Sequence, residues 1–160
     1  MTIKAGDKIP TVTLNVMTEN GPDGVSTDDF CAGKKVVIFG VPGAFTPTCS
    51  AKHLPGFVSN AAALKAKGID AIACVSVNDP FVMGAWGKDQ KVGDSVSMLA
   101  DGSANFTKAT GLELDLTARG LGLRCQRFAM IVDNGTVKTI HIDAAGAFEK
   151  TSAESILSEL

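Results

Sequence analysis

The stretch KVVIFGVPGAFTPTCSAKHLPGF, residues 35–57, decides the fold of this chain. Residues 35–41 form a continuous run of β-branched and aromatic side chains, which is typical of a strand buried on both faces of a sheet. A helical pattern follows over residues 50–67, and Gly68 is a residue type that commonly ends a helix. Residues 69–77 predict a second buried strand. This order predicts a βαβ unit with two parallel strands.

The rest of the chain extends this unit into a mixed sheet. The further elements that we expect are a strand at 11–16 and a turn at 19–24, a helix at 79–89 capped by Asn78 or Asp79, a strand at 97–100, a helix near 104–110, a loop at 111–126, a hairpin of 127–132 with 136–142 around Asp-Asn-Gly, and a last helix capped by Thr151 or Ser152. The sequence therefore predicts an α/β fold, with a central mixed β-sheet flanked by α-helices on both faces.

Length and composition limit the classes of protein to which this chain can belong. The chain has 160 residues, of which 45% are hydrophobic, enough for one core, so we expect a single domain over residues 1–160. A net charge of -2 argues against nucleic acid or an anionic membrane as an obligate partner. No apolar run approaches the ~20 residues that cross a bilayer, and MTIKAGDKIP lacks the hydrophobic core of a secretory signal. We expect a cytoplasmic protein.

The cysteines direct attention to thiol chemistry. The cysteines and histidines of the chain are Cys31, Cys49, Cys74, Cys125, His53 and His141. They contain no CxxC pair, so a structural zinc site is not expected. In a reducing compartment these cysteines are free thiols, and the question is which of them is reactive.

Cys49 lies where the first buried strand has ended and the helix begins. Unpaired N–H groups of a first helical turn favour a thiolate there. That effect is worth roughly 0.3–1 kcal/mol, up to ~2 when partly buried, so full ionisation at neutral pH requires a further cation. The candidates are Lys52, His53, Arg124 and Arg127.

Two of these cations give different mechanisms. His53 lies one helical turn after Cys49 and would form a Cys/His dyad, but no Asp or Asn is evident to orient it. Arg127 begins a predicted central strand, where a permanent charge needs a buried anion. We therefore favour Arg127.

The residues around Cys49 fit a shaped pocket. Pro42 and Pro47 stiffen the turn, and Gly43 permits close approach by other groups. The Thr46 hydroxyl, three residues before Cys49, is able to donate to an oxygen or to accept from the thiol.

This pattern, Pro42-x-x-x-Thr46-x-x-Cys49, resembles the PxxxTxxC signature of peroxiredoxins, and GVPGAFTPTCSAKHLPGF resembles the type II, or peroxiredoxin-5-like, subfamily. Further similar segments are 76–86, 99–116 and 127–135, so the resemblance covers most of the chain. It implies a thioredoxin-like fold and reduction of hydrogen peroxide and alkyl hydroperoxides without a metal or flavin cofactor.

The resemblance also implies residue roles. Cys49 would be the peroxidatic cysteine, Thr46 and Arg127 would orient the peroxide and stabilise the thiolate, and Pro42 would shield the pocket. Cys74 matches the second cysteine of the plant-type branch and is the candidate resolving residue. Because Cys74 lies in a predicted buried strand and a disulfide needs Cα atoms within ~7 Å, we expect the first turn of the Cys49 helix to unwind. Cys125 could approach the pocket but is expected to be a bystander.

Several alternatives stay open at this point. One is a one-cysteine cycle in which glutathione or a glutaredoxin attacks Cys49 directly; thioredoxin is the other reductant implied. A second is a thiol-based peroxide sensor or redox relay, and a Cys/His hydrolase is a distant third. The resemblance also implies a homodimer with aromatic residues near the active site, for which Phe45, Phe81 and Trp86 are candidates.

Overall fold

Seven of the nine strands form one mixed sheet in the computed structural model, which describes residues 1–160. The strands are β1 (Thr13–Thr18), β2 (Gly21–Ser26), β3 (Lys35–Gly40), β4 (Ala71–Ser76), β5 (Ser97–Ala100), β6 (Glu113–Leu116), β7 (Gly122–Cys125), β8 (Phe128–Asp133) and β9 (Thr136–Ile142). The helices are α1 (Thr27–Cys31), α2 (Leu54–Ser59), α3 (Ala61–Ala66), α4 (Pro80–Asp89), α5 (Asn105–Thr110) and α6 (Ala153–Leu157). A π-helical turn, Cys49–His53, precedes α2, and a 3₁₀ turn, Thr117–Arg119, lies between β6 and β7.

The predicted βαβ unit lies at the centre of this sheet. The strand order is β2-β1-β5-β4-β3-β8-β9, with β3 parallel to β4 and β4 parallel to β5. The pairs β3–β8, β8–β9, β1–β5 and β1–β2 are antiparallel. The α/β fold class with a mixed central sheet is therefore confirmed.

Two hydrophobic cores lie on opposite faces of the sheet. The larger has 21 buried residues and joins one face of the sheet to the π-turn and to α2, α3, α4 and α6. The smaller has 16 buried residues and joins the other face to α1 and α5. Cys49 and Cys74 both belong to the larger core, whereas Cys125 belongs to the smaller.

Three local sequence signals are confirmed, one at a hairpin turn and two at helix N-termini. Asn134 and Gly135, at the tip of the β8–β9 hairpin, have φ angles of 47° and 82°, as the Asn-Gly turn requires. The Asp79 side chain caps α4 by accepting from Val82 N at 2.8 Å. Ser152 caps α6 by accepting from Ser155 N.

The turn predicted at 19–24 is wrong from residue 21 onward. Strand β2 already begins at Gly21, and Pro22 pairs with Met17 of β1. This strand is at the edge of the sheet, where a residue without an N–H group is tolerated.

The loop predicted at 111–126 is also wrong, because β6 and β7 form a separate antiparallel hairpin there. Leucines at 112, 114 and 116 alternate with other residues, and this period-two signal could have identified β6. The three glycines of the segment hid the signal, since glycine is depleted in strands. This hairpin forms one wall of a cavity that Arg127 also lines.

No helix in the structure is both long enough and apolar enough to cross a membrane.

We predict that Gly40→Ala destabilises the protein, because a Cβ atom on Gly40 would lie 2.0 Å from the Phe128 ring. Phe128 is fully buried, so the clash requires backbone movement and should lower the free energy of unfolding by roughly 1–3 kcal/mol. The matched control is Gly56→Ala in α2, where a Cβ would meet nothing within 4 Å. This control should gain about 0.5–1 kcal/mol from helix propensity. Urea unfolding measures both values, and equal stability of the two variants would contradict this packing.

Candidate active site

Cys49 begins a π-helical turn directly after the proline-rich connection from β3. Its side chain is fully buried, and Leu54 N donates to the Cys49 carbonyl five residues earlier. Pro55 has no N–H to offer to Ala51 and its ring crowds that carbonyl, which fits the widened turn at this point. The predicted helix 50–67 is therefore three pieces: the π-turn, α2 and α3.

The N–H of Ser50 does not point to the Cys49 sulfur. It donates to the Thr46 carbonyl at 2.9 Å. This N–H group is therefore not available to the sulfur. More of the stabilisation of a thiolate has to come from side chains than the sequence suggested.

Arg127 is the side chain that reaches the sulfur. Its Nη2 lies 3.2 Å from Cys49 Sγ, although the two residues are 78 positions apart. Arg127 lies directly before β8, and only 8% of its surface is exposed. A permanent cation at this distance and depth is placed to stabilise negative charge at the sulfur.

His53 holds Arg127 and does not act on Cys49. Its Nδ1 lies 2.9 Å from Arg127 Nη1, and its Nε2 lies 2.8 Å from the Thr151 carbonyl. A guanidinium can only donate and a carbonyl can only accept, so the ring is neutral with its proton on Nε2. Burial, and then the charge of Arg127, lower the pKa of His53 to about 3. The Cys/His dyad considered from the sequence is not formed, because both ring nitrogens have other partners.

The loop 143–151 packs against the pair formed by His53 and Arg127. The Phe148 ring lies 5.8 Å from Arg127 Cζ, in cation–π geometry, and also packs against His53. Asp143 is buried and accepts hydrogen bonds from Glu149 N, Lys150 N and Thr151 Oγ1. Burial raises the pKa of the Asp143 carboxyl, but these donors together hold it below its ordinary value. No short-range pattern in the sequence connects these residues to Cys49, so only the structure identifies them.

Thr46 and Pro42 line a cavity of about 340 Å³ together with Arg127. The Thr46 hydroxyl donates to the Gly43 carbonyl at 2.6 Å, so its hydrogen is occupied and its oxygen can accept from a bound molecule. A Cβ on Gly43 would lie 3.0 Å from Arg124 Nη1 and 3.1 Å from Thr46 Cγ2, closer than ordinary van der Waals contact.

Arg124, another sequence candidate, braces the turn instead of contacting the sulfur. Its Nε donates to the Leu121 carbonyl at 2.7 Å, and its Nη1 lies 3.4 Å from the Pro42 carbonyl.

The other three cysteines have no such cation. Cys74 is fully buried in β4, and burial, followed by the proximity of Cys49, raises its pKa well above the ordinary value. The Cys125 thiol donates to the Val41 carbonyl at 3.1 Å, and burial raises its pKa to about 12. Burial also raises the pKa of Cys31 to about 11. Cys49 is therefore the cysteine best placed to react.

No group of three or more His, Cys, Asp or Glu side chains is placed to hold a metal ion. The arrangement instead combines a buried sulfur, a fixed guanidinium and a hydroxyl acceptor at the side of a cavity. Such a site can use a thiolate as nucleophile and stabilise negative charge that develops on a leaving atom.

Comparison with known proteins finds close relatives over nearly the whole chain. Residues 4–157 match the Redoxin family. Peroxiredoxin-2C of Arabidopsis thaliana is 51% identical over 159 residues, which are 99% of this chain and 98% of that protein. Peroxiredoxin-2E, chloroplastic, of the same plant is 50% identical over 99% of this chain and 69% of its own length. The crystal structure of reduced Prx3 in complex with H₂O₂ from Vibrio vulnificus is 52% identical, covers 99% of each chain and superposes with a TM-score of 0.95.

We predict that His53→Gln reduces the loss of stability in mild acid. An unfolded histidine binds a proton below about pH 6.5, whereas folded His53 does not until about pH 3. Between these values the unfolded state binds more protons, so the free energy of unfolding falls as pH falls, by up to about 1.4 kcal/mol per pH unit from this residue. Glutamine has no such proton, so the variant should lack this slope.

Denaturant unfolding at several pH values between 6.5 and 4 measures the effect. The matched control is His141→Gln, which removes the partly exposed histidine of the His141–Glu159 pair and so measures the effect of the substitution itself. An unchanged slope in His53→Gln would show that His53 is not buried in its neutral form.

Proposed function

The chain belongs to the redoxin family and is a type II peroxiredoxin, a thiol-dependent peroxidase, and within that activity we propose that Cys49 is the sulfur that attacks the hydroperoxide. Its fold is the thioredoxin-like α/β fold that the sequence resemblance implied. The observation that carries the proposal is the 3.2 Å contact between Arg127 Nη2 and Cys49 Sγ inside a buried site.

The proposed step is a nucleophilic displacement at oxygen. The Cys49 thiolate attacks the terminal oxygen of R–OOH, a sulfur–oxygen bond forms and the O–O bond breaks. The O–O electron pair leaves with the alkoxide, which takes a proton from solvent and becomes R–OH. Cys49 is oxidised by two electrons to sulfenic acid, and the peroxide is reduced by the same two electrons.

Each neighbouring residue has a distinct role in this step. Arg127 stays protonated throughout, since a guanidinium does not lose its proton in proteins, and stabilises first the thiolate and then the charge on the departing oxygen. Thr46 accepts the hydroperoxide O–H and so orients the terminal oxygen toward the sulfur. Pro42 shields the mouth of the site from water.

We propose Cys74 as the resolving cysteine. It belongs to the same core as Cys49, and condensation of its thiol with the sulfenic acid would release water and form a disulfide. Cys74 is held in register between Phe39 of β3 and Met98 of β5, so the π-turn has to move instead of the strand. That movement breaks the hydrogen bond from Trp86 Nε1 to Ser50 Oγ, which is 3.0 Å long.

The reductant that we propose is glutaredoxin with glutathione, or thioredoxin. In the one-cysteine alternative, glutathione or glutaredoxin attacks the Cys49 sulfenic acid directly and Cys74 has no role. A cytoplasmic location fits the four free cysteines, because reducing compartments keep thiols unpaired. The sensor or relay alternative is not favoured, since the close relatives carry the name peroxiredoxin.

We also propose a homodimer that uses the exposed aromatic residues near the site. Phe45 is 53% exposed and Phe81 is 65% exposed, although both are large apolar side chains. Phe45 lies 6.4 Å from Trp86, measured between ring centroids, and so connects the exposed surface to the larger core. Sedimentation at micromolar concentration tests this proposal, and a monomer would contradict it.

We predict that Cys49→Ser abolishes peroxide reduction and that Arg127→Lys lowers kcat/KM for hydrogen peroxide roughly 10²-fold. A lysine keeps one charge but loses the planar pair of donors that contacts Cys49 and His53 together, and loss of one stabilising donor typically costs about 10²–10³ in rate. Coupled turnover with thioredoxin or glutaredoxin measures both variants. Cys31→Ala is the control, because Cys31 lies on the opposite face of the sheet. Full activity of Cys49→Ser would refute the assignment.

We predict that one equivalent of peroxide produces an intramolecular Cys49–Cys74 disulfide in the wild type. Mass spectrometry of peptides detects the bond, and the fluorescence of Trp86, the single tryptophan, should change as the π-turn unwinds. Cys74→Ser should lack the bond and lose turnover with thioredoxin, whereas Cys125→Ser should keep both. A wild type without the disulfide, together with a Cys74→Ser variant that still turns over, would establish the one-cysteine cycle instead.

A further inference from the structure

The cavity lined by Pro42, Thr46 and Arg127, the last of which contacts Cys49, is much larger than hydrogen peroxide needs. Its volume is about 340 Å³, whereas a water molecule, which is similar in size to half of the peroxide, occupies about 30 Å³ in the liquid. Cavities that bind small organic molecules begin at about 300 Å³. The space therefore fits the organic part of a larger hydroperoxide.

One wall of the cavity is apolar and comes from the β6–β7 hairpin. Leu114, Leu116 and Leu121 line it, and all three are only half-buried in the free protein. An aliphatic chain that covered these side chains would remove apolar surface from water, which is favourable by about 25 cal/mol per Å².

A cation without an ionic partner lies at the same wall. Arg119, the last residue of the 3₁₀ turn, is exposed and lines the cavity. The two salt bridges of the structure, Lys4–Asp7 and His141–Glu159, do not include it. The carboxylate that lines the cavity, Asp143, already accepts three hydrogen bonds from its own loop.

Arg119 is therefore the arginine of this cavity that is available to bind an anion. The Arg127 guanidinium is engaged with Cys49 and His53, whereas that of Arg119 is free to bind a carboxylate. An arginine matches the two oxygens of a carboxylate with parallel N–H donors.

Resting on the proposed function, we propose that the preferred substrate is an amphiphilic hydroperoxide with a carboxylate. Its –OOH group lies at Thr46 and Arg127, its aliphatic chain covers Leu114, Leu116 and Leu121, and its carboxylate pairs with Arg119. The oxidative step is the one written above: Cys49 becomes sulfenic acid, and the hydroperoxy acid becomes the corresponding hydroxy acid.

The test compares a medium-chain hydroperoxy fatty acid with its methyl ester, both below the concentration at which they form micelles. Reduced protein is mixed with each compound in the absence of any reductant, and the rate of Cys49 oxidation is followed by rapid quench, alkylation and mass spectrometry. Glutathione has carboxylates of its own, so omitting the reductant ensures that Arg119 meets only the carboxylate of the substrate. The ratio of the acid rate to the ester rate is the measured quantity.

We expect Arg119→Gln to lower this ratio roughly threefold at low ionic strength, the size typical of an exposed ion pair. Arg119→Lys should recover part of it, and Arg119→Glu should lower it further. The ratio in the wild type should also shrink as salt is added, since salt screens exposed charges. Lys108→Gln is the matched control, because Lys108 is an exposed cation on α5 outside the cavity.

The outcomes distinguish the two proposals. If hydrogen peroxide and the ester oxidise Cys49 but Arg119→Gln has the wild-type ratio, the carboxylate site is refuted and the proposed function stands. If no hydroperoxide oxidises Cys49, the proposed function itself fails.

Discussion

The burial of one permanent positive charge, that of Arg127, is the constraint on which the site depends. A guanidinium that is 8% exposed cannot be neutralised by losing its proton, so it requires partners inside the protein. The structure supplies the Cys49 sulfur, the lone pair of His53 Nδ1 and the face of Phe148. Two of these partners are neutral, so the sulfur is the partner at which Arg127 can stabilise negative charge. The need to give the buried cation a partner and the placement of Cys49 are therefore linked.

The residues that hold Arg127 in place come from remote parts of the chain. His53 can accept from Arg127 only if its proton is on Nε2, and the Thr151 carbonyl holds the proton there. Thr151 is in turn fixed by Asp143, whose carboxylate folds the loop 143–151. A chain of hydrogen bonds thus runs from the end of β9 to the sulfur. Each member is satisfied, as a polar network in a low-dielectric interior must be if it is not to destabilise the fold.

The same electrostatics distinguishes two sulfurs of one hydrophobic core. Cys49 and Cys74 are both fully buried, yet only Cys49 contacts a cation, while burial keeps the Cys74 thiol protonated. The backbone differs as well, because Cys74 lies in the middle of a three-strand parallel arrangement and Cys49 lies in a π-turn with Pro55 at its end. The sulfur that we propose as the nucleophile is thus in an irregular helical turn, and the second sulfur is in a strand that is paired on both sides.

The sequence by itself determined the features that depend on neighbouring residues. The buried runs at 35–41 and 69–77, the Asp79 cap and the Asn134-Gly135 turn each follow from local steric and hydrogen-bonding preferences, and the structure has all of them. The Pro42, Thr46 and Cys49 spacing resembles the peroxiredoxin signature, and the comparisons with known proteins confirm that family. Even the missed β6 strand had a local signal, in its alternating leucines.

Only the tertiary structure decided how Arg127 is held and what lines the cavity. The contacts from His53 to Arg127 and to Thr151 span 74 and 98 positions of the chain, and no periodic pattern encodes such distances. A charge such as Arg127 can be recognised in a sequence as needing a buried partner, but which partner it has depends on how the sheet and the loop 143–151 pack. The tautomer of His53, the burial of the Arg127 charge and the lining of the cavity all depend on that packing. They arise from contacts between atoms that are far apart along the chain.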